Sequence, residues 1–195
     1  SVDEQAYIKK LTSDVRVVSI VHTSPVTGMT VDLEKITKEV RNVTPDCIII
    51  VDGIQHSSHG AIDEQKYDID GYVVSPYKMF SRHGYGVAWA SDRLCTFNKE
   101  QLTGGPFQNW ELGTRDAGSY ATFSDVVDYL DWLGSNFTES ENTRERLEAS
   151  SIAIKSHEQE LVDLLINGAE DIVGLKNNKE IRIIGNPASN SREGV

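Results

Sequence analysis

The 195-residue chain predicts an α/β protein built on a mainly parallel sheet, and three observations carry that expectation. Val15–His22 and Cys47–Val51 are β-branched runs, continuous rather than alternating, as expected of strands buried on both faces. Between them, Leu33–Val43 keeps Leu33, Ile36, Val40 and Val43 at helical spacing behind Asp32, a good N-cap. The link has the length that a right-handed parallel crossover requires. A third apolar run, Ile69–Ser75, ends abruptly in polar residues, as Cys47–Val51 does.

The remaining elements follow in order. Ser1–Leu11 is short, polar and mildly amphipathic, the tail of a helix, and Thr23–Thr30 is a loop of hydroxyls, proline and glycine. Pro45 closes the first long helix. Gly86–Ala90 reads as a fourth strand after a tight turn at Gly84 and Gly86, and so short a link suits an antiparallel pair. Leu94–Thr114 is loop-like. Tyr120–Leu133 is a helix with Phe123, Val126, Val127, Leu130 and Leu133 on one side and Gly134 stopping it. Asn142–Ile166 is a longer helix with the stripe Leu147, Ile154, Leu161 and Leu165, ended by Gly168, and Ile181–Ile184 reads as a short strand. The polar stretch Gly134–Asn142 marks a boundary. Residues 1–138 form the α/β unit, and 139–195, one helix and one strand, read as the truncated start of a second, smaller α+β domain. The chain thus reads as cut at both ends.

A formal net charge of −11, without any Lys/Arg-rich run, argues against nucleic acid or an anionic membrane as partner. No stretch approaches the roughly 18 apolar residues of a membrane helix, and no signal-like segment opens the chain. Cys47 and Cys95 make no disulfide framework, and Cys47 reads as an inert core thiol. A reducing, cytoplasmic setting is expected, where the sequons at Asn42 and Asn136 carry no meaning.

The chemistry gathers at the two polar strand ends, where ligands of open α/β sheets collect. The first delivers Asp52 and Gln55, the second Ser75, Tyr77 and Lys78. A lysine held at a strand end in partly apolar surroundings can form a Schiff base with a carbonyl; it can equally be a solvated surface lysine. A carboxylate next door keeps a pyridinium nitrogen protonated, so that the ring becomes an electron sink; it can equally be a turn residue in a DG pair. His56 and His59, with His22, His83 and Asp52 or Asp63, offer a metal-site alternative, but their spacing matches no metal motif and no metal is expected. Neither a glycine-rich phosphate loop nor a G-x-S-x-G elbow is present.

The segments VHTSPVTGMTVDLEKI, IIIVDGIQHSSHGAID and DGYVVSPYKMFSRHGYGVAW resemble the class V aminotransferase family, the fold-type-I pyridoxal-phosphate enzymes that include the cysteine desulfurases. In that family a D-x-x-Q motif follows one strand and an S-x-H-K motif the next. Asp52, Gln55, Ser75 and Lys78 fall in that order, with Tyr77 where the family usually has histidine. ELGTRDAGSYATFSDVVDYLDWLG resembles the family's E-x-G-T segment and following helix, and RERLEASSIAIKSHEQELVDLL resembles its small-domain entry helix.

The resemblance implies the large domain of a fold-type-I enzyme followed by the start of the small domain. It implies pyridoxal 5'-phosphate as cofactor, an amino-acid substrate, and a homodimer with shared active sites. By position, Lys78 would form the internal aldimine and move the proton at the substrate Cα. Asp52 would pair with the pyridine nitrogen, Gln55 would approach the ring hydroxyl, and Ser75, helped by Tyr77, would bind the phosphate. Thr114 would reach the phosphate of the partner subunit. The ring-stacking aromatic, the first phosphate loop, the carboxylate-binding arginine and the sulfur-accepting cysteine are expected outside these residues. Cysteine desulfuration leads the readings. Transamination, epimerisation or another C–S lyase reaction is the alternative, and a non-catalytic subunit of the same fold is the alternative from another class.

Overall fold

A computed structural model describes residues 4–104, 110, 112, 113 and 116–194. Its centre is a four-stranded sheet of β1 (Val17–Val21), β2 (Ile48–Asp52), β3 (Gly71–Val74) and β4 (Val87–Ala90), in that spatial order. β1, β2 and β3 run parallel, with Ile20 opposite Val51 and Asp52 opposite Val73. β4 turns back antiparallel to β3, Val74 facing Val87, as the short link requires.

Helix α1 (Glu4–Ile8) precedes the sheet, and α2 (Leu33–Val43) makes the crossover from β1 to β2. Asp32 caps α2, accepting the backbone N–H of Lys35 at 3.0 Å. Of the apolar stripe predicted for α2, Leu33, Ile36 and Val40 are buried, whereas Val43, in the last turn, is exposed. Leu33, Ile36 and Val40 join Val18, Ile20, Ile49 and Val51 in one core cluster. Each such side chain contributes about 1.5–3 kcal/mol when fully buried.

β1 departs from expectation. Its burial alternates, with Val18 and Ile20 inside but Val17 and Val21 at least half exposed. The strand lies at the sheet edge, and only the face toward α2 meets the core cluster. β2 shows how the same composition behaves in the middle of the sheet, with Ile49 and Val51 fully buried.

A short α3 (Glu64–Tyr67) lies on the way to β3, and α4 (Asp92–Cys95) follows β4. Asp70, just before β3, is buried and gathers these pieces. Its carboxylate accepts a forked pair from Arg93 at 2.6 and 2.8 Å, Arg41 at 3.0 Å, the Ile49 N–H at 2.9 Å and the Ser91 hydroxyl at 3.1 Å. Burial pushes this carboxyl up, but the two guanidinium groups and the backbone N–H together hold it below its ordinary value.

Helix α5 (Ala117–Gly134) is capped by Asp116 and packs against α6 (Thr143–Asn167), capped by Asn142. α5 ends at Gly134 as expected, but the following Ser135 keeps right-handed geometry, and Gly134 also admits α6, since a Cβ there would meet the backbone of Arg146. Gly168 does end α6, at φ 82°. In the predicted α6 stripe, Leu161 and Leu165 are more than half exposed. The strand expected at Ile181–Ile184 is absent. A two-residue pair, β5 (Gly168–Ala169) with β6 (Ile172–Val173), forms instead. A strand persists only when a neighbour takes its backbone hydrogen bonds, and no described strand pairs with residues 181–184.

Candidate active site

Parallel alignment of β2 and β3 brings their carboxyl ends to one rim. Beyond β2 the chain passes through Gly53 into a single 3-10 turn, His56–Ser58; beyond β3 it enters another, Pro76–Met79. The second turn is tightly determined. Pro76 opens it, the Ser75 carbonyl accepts the Lys78 N–H at 3.0 Å, and Phe80 closes it at φ 67°, a left-handed conformation unusual for a bulky residue. Lys78 is half-buried as a result. Its Nζ donates to Gln55 Oε1 at 2.6 Å, so the two strand ends are tied by side chains.

Asp52 is oriented locally, its Oδ1 accepting the N–H of Ile54 at 3.0 Å. Among the described residues Oδ2 takes no hydrogen bond. The Ser75 hydroxyl makes no capping bond to its turn. Tyr77 is partly exposed and stacks on His83, ring centroids 4.1 Å apart, with Lys78 Nζ 6.0 Å from the Tyr77 ring. Thr114 lies outside the described residues. Of the expected site residues, then, Asp52, Gln55, Ser75, Tyr77 and Lys78 share one rim of the sheet.

Gly53 is needed for a reason the DG pair does not reveal. A Cβ at this position would collide with Cε1, Cζ and the hydroxyl oxygen of Tyr72. Tyr72 is buried beneath the strand end, and its hydroxyl bonds to His22 Nδ1 at 2.9 Å. Burial raises the Tyr72 phenol far above its ordinary range.

The histidines do not gather around a metal. Among the described residues no three His, Cys, Asp or Glu side chains are placed to hold one. His22 is buried and stacks on His56 at 3.6 Å; burial, then the His56 and Lys155 charges, push its pKa down to about 2, so it is neutral. His56 Nδ1 meets Glu193 Oε1 at 2.6 Å, and His59 Nδ1 meets Glu158 at 2.8–2.9 Å. Burial pushes the Glu193 carboxyl up, but the hydrogen bond and charge of His56 bring it below its ordinary value. The Glu158 hydrogen bond holds His59 above its ordinary value against the opposing effect of burial. Neither carboxylate was anticipated. Glu158 lies on α6 and Glu193 near the end of the chain, and no local motif links either to its histidine.

The two cysteines stand apart from this rim as free thiols. Cys47 is buried, and burial pushes its thiol pKa up, consistent with an inert core position. No helix among the described residues is long and apolar enough to cross a membrane.

The mainly parallel α/β fold is shared with several solved cysteine desulfurases. The apo enzyme from Thermococcus onnurineus superposes with a TM-score of 0.72 over 98% of this chain and 46% of that one, at 18% identity. CsdA from Escherichia coli gives 0.62 over 84% and 40%, at 21% identity. The Aminotransferase class-V family model matches residues 1–164, and the chain belongs to that family of pyridoxal-phosphate-dependent enzymes. Among curated relatives, the probable cysteine desulfurase of Mycoplasma genitalium is 31% identical over 100 residues, 51% of this chain and 24% of that protein. The cysteine desulfurase SufS of Plasmodium falciparum is 44% identical over 96 residues, 45% of this chain and 18% of that protein. The chain spans less than half the length of each of these four.

Proposed function

We propose that this chain carries the cofactor-side half of a pyridoxal-phosphate site acting at the Cα of an amino acid, with C–S cleavage of cysteine as the reaction. The observation that carries the reading is the Lys78–Gln55 bond, at 2.6 Å, beside the carboxylate of Asp52 on the same rim. Family membership and the names of the relatives support the choice of reaction.

The donor set fits the cofactor. A primary amine, a carboxylate with one oxygen that takes no hydrogen bond among the described residues, an amide and a hydroxyl stand at neighbouring strand ends. When bound, pyridoxal phosphate supplies a carbonyl for linkage to an amine and a protonated ring that accepts the electron pair released at Cα. Lys78 Nζ would be the amine that links the cofactor and the base that moves the proton at the substrate Cα. Asp52 Oδ2 would accept the ring N–H and keep that nitrogen charged. Gln55 would meet the ring hydroxyl with its amide. Ser75 would donate to the phosphate, and Tyr77 would add a phenolic donor to the same group. Thr114 is assigned to the phosphate of a partner subunit, in a cytoplasmic homodimer.

The test is spectroscopic. The chain mixed with pyridoxal phosphate should develop a visible absorption band that borohydride abolishes while fixing the cofactor covalently, and Lys78→Ala should show neither effect. A wild-type chain that takes up no cofactor would identify it as a non-catalytic subunit and sink the enzyme reading.

A further inference from the structure

We propose that Glu158 is a positioning residue for the lysine site: acting through His59, it fixes which way the Gln55 amide faces Lys78. Four side chains from three parts of the fold form an unbroken line. Lys78 Nζ donates to Gln55 Oε1 at 2.6 Å, Gln55 Nε2 lies 3.1 Å from His59 Nε2, and His59 Nδ1 lies 2.8–2.9 Å from both Glu158 oxygens. His59 is buried and Glu158 three-quarters so, which shields the line from solvent.

Donor and acceptor chemistry gives the line one polarity. A carboxylate only accepts, so His59 Nδ1 carries the hydrogen. The neutral ring then presents a lone pair at Nε2, and that lone pair takes an N–H from Gln55. The opposite side of the amide must therefore be oxygen, and oxygen is what a lysine ammonium, donor only, needs. Reversing the amide would set the NH2 against the ammonium and Oε1 against the ring lone pair, failing at both ends. The charged groups facing His59 are Glu158 from α6, Glu193 from the terminal segment and Lys78 from the turn after β3. Protonating His59 makes both ring nitrogens donors and breaks the line at Gln55. The relay thus operates above the His59 midpoint and fails below it.

The importance of the orientation to a cofactor rests on the proposed function; the orientation itself does not. Nitrogen-15 NMR of the cofactor-free chain reads it directly. Above the His59 midpoint, Nδ1 should be protonated and Nε2 bare, and the Gln55 side-chain amide signals should follow the His59 titration. Glu158→Gln should mix the two tautomers and lower the midpoint by about 1 pH unit or more. A protonated Nε2 in the wild-type chain, or a tautomer unchanged in Glu158→Gln, would overturn the proposal. The wild-type spectrum needs no substitution, so a variant that fails to fold does not remove the test. A chain with the expected tautomer that takes up no cofactor would support the relay while overturning the cofactor reading.

Discussion

Lys78 Nζ donates to Gln55 Oε1 at 2.6 Å, joining the segment after β3 to the segment after β2. A hydrogen bond to a charged group contributes about 1.5–3 kcal/mol. Gln55 is assigned to hold the lysine before cofactor arrives and the ring hydroxyl afterwards. Gln55→Ala should therefore weaken pyridoxal phosphate binding about tenfold or more, read from an absorbance titration, while far-ultraviolet circular dichroism stays unchanged. An unaltered Kd would remove Gln55 from the site.

Gly53→Ala tests the packing beneath the rim. The added methyl would collide with the Tyr72 ring and hydroxyl, and neither β2 nor the buried ring can yield cheaply. Overpacking of this kind costs roughly 1–3 kcal/mol. The urea midpoint should fall accordingly, and the Tyr72 and His22 ring signals should shift together because their hydrogen bond is displaced.

Asp70→Asn should be the more damaging change. It removes a buried negative charge from Arg41 and Arg93, and breaking a buried ion pair costs about 3–5 kcal/mol. Because the folded pKa of Asp70 is depressed, its stabilisation is present above the unfolded value of about 3.9 and disappears as pH falls through the lower folded value. Urea melts across that acid range should show the wild type losing more stability than Asp70→Asn.

The two histidine–carboxylate pairs should bend the pH–stability profile in opposite directions. Glu193 has a lowered folded pKa, so its contribution is present above about pH 4.3 and is lost on acidification; Glu193→Gln should flatten the acid limb. His59 has a raised folded pKa, so its contribution is full below about pH 6.5 and is lost as pH rises through the raised value. Glu158→Gln should flatten that later decline. Stability measured by urea at successive pH values separates the two, and identical profiles for both variants would contradict the assignment.

What the sequence made legible follows the range of the forces involved. Helix α2 was readable because its cap and apolar spacing act within a few residues, and its residues 33–43 are helical as predicted. The antiparallel β4 was readable from the brevity of its link to β3. Placing Asp52 and Lys78 at one rim required only that two apolar runs end in polar residues and pair side by side. The exposed face of β1 was not legible, because Val17 and Val18 look alike in sequence and differ only in what covers them. The partners of His56 and His59 lie 137 and 99 residues away, so the sequence offers neither ring a hydrogen-bond partner and leaves a metal site only as an alternative. Gly134 reads as a helix stop and α5 does end there, but that it also admits the Arg146 backbone depends on a helix from elsewhere in the chain and was not legible.

Asp52 stands opposite Val73 in the parallel pairing of β2 with β3. Side chains alternate along a strand, so a one-residue slip of β3 against β2 would turn the β3 side chains to the opposite face and carry Ser75 and Lys78 away from Gln55. A ligand gripping both strand ends could then bind only the correctly paired sheet, and by mass action it would drain every slipped arrangement toward that one. Such a ligand would act as a proofreader of strand pairing, rewarding the native alignment while the chain folds, before any chemistry begins.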